Sequence, residues 1–71
     1  MTPAVSPAFV ALSDAILNNP MSVDDIARSL RVDPRAILAA LRGEGPEPEA
    51  NLIARARQLA IWALRVWHYD F

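Results

Sequence analysis

The sequence predicts an all-α fold, with a three-helix core through Gly43 followed by a fourth helix. Three observations carry this. Ser6-Pro7, Ser22 and Asp33-Pro34 each read as a helix start, two of them with proline at the first helical position, where its missing N–H costs nothing. Behind each start, apolar residues recur at helical spacing. Asn18-Asn19-Pro20 and the run from Gly43 to Glu49 then punctuate the chain, because a residue before proline avoids the α region. The organisation expected is a core over 6–43, an acidic Gly/Pro linker over 44–49 and an amphipathic helix over 50–69, all in one domain.

Met1 to Val5 is expected to be frayed. The first helix begins at Ser6-Pro7, and Phe9, Leu12, Ser13, Ile16 and Leu17 give it a mostly apolar stripe that packs across the next two helices. Phe9 and Met21 are expected in the core or as staples. Ser22 caps the second helix, with Asp25 where a capping box places its acid and Asp24 beside it, complementing the positive helix end. Ile26, Ala27 and Leu30 share one face. Arg31-Val32-Asp33 is the break, and Asp33 caps a third helix whose apolar side is Ile37, Leu38 and Leu41. Gly43 ends it at a position that tolerates positive φ.

The stretch from Ser22 to Gly43 resembles a helix-turn-helix. Ala27, Leu30, Val32 and Ile37 match in type and spacing the small, apolar, apolar and branched positions of that family. The departure is at the turn, where the family favours glycine and this chain has Arg31; a left-handed arginine costs roughly 1–2 kcal/mol. The resemblance implies that the third helix is the reading element, with Asp33, Arg35, Ala36, Ala39 and Arg42 outward.

Composition restricts what such a scaffold does. The chain has no cysteine and one histidine, so neither a disulfide framework nor a thiolate metal site is expected. No Gly-rich phosphate loop and no paired carboxylates are evident, so neither a cofactor nor an enzymatic activity is expected, and no small-molecule ligand is evident. There is no charged n-region before an apolar run and no stretch as long as a membrane span. A cytoplasmic protein of a bacterium or a phage-infected host, without membrane contact, is the expectation. All seven cations are arginine, yet the net charge is −1, whereas a dedicated DNA-binding domain of this size is usually plainly basic.

The linker carries Glu44, Glu47 and Glu49 and no base. It reads either as a solvated connector or as an acidic arm that contacts a basic partner and keeps the neighbouring helix off phosphates. The fourth helix is apolar almost all round, with one stripe of Arg55, Gln58, Trp62, Arg65 and Tyr69 on a common side. So much apolar surface either completes the core or lies against a partner. Trp67 falls nearer the core side, Trp62 is the candidate interface anchor, and His68 beside Asp70 reads as a polar tail or a weak ion pair. The segment Ala54-Arg55-Ala56-Arg57-Gln58-Leu59-Ala60 resembles the helix that opens the DNA-binding domain of bacterial replication initiators, although there it precedes the helix-turn-helix and here it follows. That resemblance implies DNA contact by Arg57 and Gln58.

Two functions follow. The first is a protein-binding transcription regulator, contacting its partner through Arg35, Ala39 and Arg42 and through Arg55, Trp62 and Arg65. A small, slightly acidic, arginine-only chain of this kind is similar to the accessory regulators of lytic phages of GC-rich bacteria. The similarity implies a host RNA polymerase subunit as partner, with inhibition of initiation or antitermination. The alternative is a sequence-specific DNA-binding repressor, dimeric through the fourth helix, using Arg28, Arg31, Arg35, Arg42, Arg57 and Gln58. Asp24, Asp25 and Asp33 oppose the cations such a repressor needs.

Overall fold

The computed structural model describes the backbone of residues 6–69 and the side chains of residues 6–66. The expected fraying of Met1 to Val5, the core assignment of Trp67, the placement of the Tyr69 side chain and the pairing of His68 with Asp70 lie outside the described residues. Among those residues the fold is all-α, with helices α1 (Pro7–Leu17), α2 (Val23–Leu30), α3 (Pro34–Leu41) and α4 (Ala50–Tyr69).

Each short helix is set by its ends. Ser6 Oγ accepts from the Ala8 N–H at 3.3 Å, Ser22 Oγ from the Asp25 N–H at 3.2 Å and Asp33 Oδ1 from the Arg35 N–H at 2.9 Å, so each start satisfies one otherwise orphaned donor. At the far ends, α2 and α3 close in the same way. The Val32 N–H donates to the Ala27 carbonyl at 2.9 Å across Arg31, which sits in the left-handed region at φ 59° and ψ 44°. The Glu44 N–H donates to the Ala39 carbonyl at 2.9 Å across Gly43 at φ 71°. Both are Schellman closures. Glycine occupies the second without strain, and arginine holds the first against its preference.

Asn19 supplies the remaining corner. Its Oδ1 accepts from the Met21 N–H at 2.9 Å, which turns the chain around Pro20 into α2.

The core gathers Phe9, Leu12, Ala15 and Ile16 of α1, Ile26, Ala27 and Leu30 of α2, Ile37 and Ala40 of α3, and Ile53 and Ala56 of α4. On α4 the buried line is Ile53, Ala56, Ala60 and Ala63, at spacings of three and four. Three alanines on that line let α1 lie close along α4, because small side chains permit a short axis-to-axis distance. Phe9 is buried and Met21 is half-buried against the core. Two expectations need correction. Leu17 is 74% exposed, and Ala15 takes the inner position assigned to it. Leu38 is 43% exposed, and Ala40 joins Ile37 on the buried side of α3 in its place.

Candidate partner-binding surface

The exposed strip of α3 is built by its cap and its period. Ile37 and Ala40 turn inward, so Arg35, Leu38 and Arg42 fall on the opposite side, three and four residues apart, with half-buried Ala39 at its edge. This is the surface expected to meet a partner, with Leu38 added. Leu38 was hidden from sequence reasoning because an apolar residue next to Ile37 reads as core, and adjacent residues do both face inward on α2, where Ile26 and Ala27 are buried together.

Both arginines of the strip are paired with a carboxylate of their own chain. Arg35 donates from Nη2 to Asp33 Oδ2 at 3.4 Å, and Arg42 donates from Nε to Glu44 Oε2 at 3.1 Å. The Arg35 backbone N–H and then its guanidinium hydrogen-bond Asp33, which holds that carboxyl below the ordinary aspartate range. These pairs are exposed and weak as sources of stability. Their effect is on charge: the strip presents two arginines and two carboxylates, so it carries no net positive field.

Beside the strip lies a groove of about 400 Å³. Its apolar lining includes Leu12, Val32, Ala36, Ala39 and Leu52, and Glu44, Glu47 and Glu49 of the linker border it. The linker is therefore attached to the core. Ser6 donates its hydroxyl to Glu47 Oε1. The α1 start has no acid in its own first turn, and Glu47 supplies one from across the fold. The acidic run thus lies along the α3 side that the resemblance assigns to reading.

No protein-family model, curated protein or solved structure matches the chain.

The other expected residues are dispersed. Arg28 is exposed in the last turn of α2, and Arg31 is exposed in the turn. Arg55 points to the end of α2, where its Nη2 donates to the Leu30 carbonyl at 2.7 Å. That carbonyl belongs to the last turn of α2, and a cation there also meets the negative helix end. Arg55 is thus occupied within the fold. Trp62, 57% exposed, and Arg65 stand on the outer side of α4 together with Gln58. Arg57 borders a shallow depression against α1, with Asp14 and Asn18 across from it, and so stands away from the α3 strip. The structure brings together Arg35, Ala39 and Arg42 on α3 and sets Arg55 on the groove that Ala39 also lines, while Trp62 and Arg65 lie further along α4, outside that lining. The residues of the DNA reading do not share one face, since Arg57 borders α1. No group of three His, Asp or Glu residues able to hold a metal occurs among the described residues. No helix of the described residues is long and apolar enough to cross a membrane.

Proposed function

We propose that this chain is a small non-enzymatic regulator that acts by binding another protein through the exposed strip of α3. The observation that carries the reading is the composition of that strip. Arg35 and Arg42 are each paired with a neighbouring carboxylate, and exposed Leu38 lies between them. A duplex is gripped by several unopposed cations. An apolar residue flanked by arginines suits the centre and rim of a protein interface. Carboxylates of the partner would exchange with Asp33 and Glu44 for the two guanidiniums.

A subunit of bacterial RNA polymerase is the partner to test first. The support is the likeness in size, charge and arginine usage to phage regulators that inhibit initiation or promote antitermination. The test is retention of purified polymerase by the tagged protein, with and without nuclease. Retention that survives nuclease and falls on Leu38→Asp supports the reading. Retention only through nucleic acid transfers it to the DNA-binding repressor.

A further inference from the structure

The groove beside α3 is a product of side-chain size. Ala36, Ala39 and Ala40 present only methyl groups to it, so the space between them, Leu12 and Leu52 stays unfilled. The linker forms another wall. Pro46 and Pro48 restrict its backbone, and the Ser6 hydroxyl holds it to the start of α1 through Glu47. Little freedom is left in that wall for an occupant to remove.

The charge of the groove is one-sided. Glu44, Glu47 and Glu49 line it against a single guanidinium, that of Arg55, which donates to the Leu30 carbonyl at 2.7 Å. Glu44 pairs with Arg42, and Glu47 accepts the Ser6 hydroxyl. Among the described residues no cation stands within ion-pair distance of Glu47 or Glu49. An apolar floor under unmatched carboxylates is complementary to an apolar surface bordered by cations. Ala39 belongs both to the groove and to the α3 strip, so a protein seated on exposed Leu38 also reaches the groove. Ala36 and Ala39 are short enough to let another helix lie close to α3.

We propose that the groove receives an amphipathic helix of the protein partner, apolar on the side that enters and carrying lysine or arginine beside Glu47 and Glu49. The occupant is a segment of the protein that meets Leu38, so its assignment rests on the protein-binding reading of α3 and adds the chemistry of that segment. When a carboxylate of the partner takes Arg42, Glu44 is released and becomes a further acceptor for the cations of the same helix.

Titration of the intact, isotope-labelled chain with two synthetic peptides, followed by amide resonances, tests this. One peptide has leucines at helical spacing flanked by lysines, and the other has glutamates in the lysine positions. The lysine peptide is expected to shift Ala36, Ala39, Gly45 and Leu52, and the glutamate peptide to bind at least about tenfold more weakly. Ala36→Trp fills the groove from an exposed position and should abolish the shifts at Gly45 and Leu52. The triple variant Glu44→Gln, Glu47→Gln, Glu49→Gln keeps an acceptor for Ser6. It should weaken the lysine peptide about tenfold and flatten its salt dependence, with circular dichroism of both variants matching the wild type. Equal affinity for the two peptides overturns the proposal, as do shifts centred on Ile61 and Trp62. So does a doubling of mass that Ala36→Trp removes, since that gives the groove to a second copy. Leu38 is not part of the groove lining, so Leu38→Asp separates this assignment from the reading beneath it. Purified polymerase released by Leu38→Asp but indifferent to Ala36→Trp overturns the groove alone. The lysine peptide seated in the groove, with polymerase that Leu38→Asp does not release, supports the groove and overturns the strip.

Discussion

Arg55 ties the fourth helix to the end of the second: its guanidinium donates to the Leu30 carbonyl at 2.7 Å, across 25 residues of sequence. The next residue along the backbone, Arg31, is left-handed. One arginine therefore relieves a helix terminus that another holds in a strained conformation. This junction is where α4 meets the end of α2, and Arg55 also lines the groove.

Removing the donor should loosen that junction. Arg55→Ala is expected to cost roughly 1.5 kcal/mol, the lower end of the range for hydrogen bonds to charged groups, because the side chain is partly exposed. For a domain of this size each kcal/mol lowers the melting temperature by about 4–8 °C, which thermal unfolding followed by circular dichroism reads directly. Arg55→Lys should recover part of the loss. An unchanged melting temperature in Arg55→Ala would show that the Leu30 carbonyl finds another partner.

The strained turn makes the opposite prediction. Arg31→Gly removes the left-handed penalty, set against the greater freedom of glycine in the unfolded chain, and should stabilise by about 0.5–1 kcal/mol in urea unfolding. Arg31→Val, β-branched at the same backbone angle, should destabilise.

Adjacent residues on α3 should behave very differently. Ile37 is 2% exposed, so Ile37→Ala should cost about 2–5 kcal/mol. Leu38→Ala should stay within roughly 0.5 kcal/mol of wild type, as surface substitutions do, while weakening the bound protein partner. Equal losses from the two would return Leu38 to the core.

Acid should release the start of α3. The folded-state pKa of Asp33 lies below its ordinary value of 3.8, with hydrogen bonds from Arg35 as the cause. The stability this cap contributes is therefore complete above that value and is lost as pH falls through the lower, folded one. Asp33→Asn keeps a cap oxygen and should remove this part of the acid dependence, which pH titration of unfolding midpoints would show.

Local chemistry was legible in the sequence. The caps at Ser6, Ser22 and Asp33, the prolines behind two of them, the left-handed Arg31 and the positive φ of Gly43 all involve residues within a few positions of one another. The assignments of Leu17 and Leu38 failed for one reason. Reading apolar periodicity by side-chain size favours leucine, yet close helix packing placed Ala15 and Ala40 inside. The site was legible in part. Arg35, Ala39 and Arg42 share a region of α3, but the pairing of each arginine, the docking of Glu47 on Ser6 and the reach of Arg55 to Leu30 depend on contacts between turns and helices that spacing along the chain does not encode.

The account turns on whether the α3 strip meets polypeptide or duplex. Titration of fluorescently labelled duplex DNA with the intact protein, at low and at near-physiological salt, decides it most directly. The expected result is no saturable binding at either salt, with wild type and Arg35→Ala indistinguishable. Tight binding that falls steeply with salt and is lost in Arg35→Ala would contradict it.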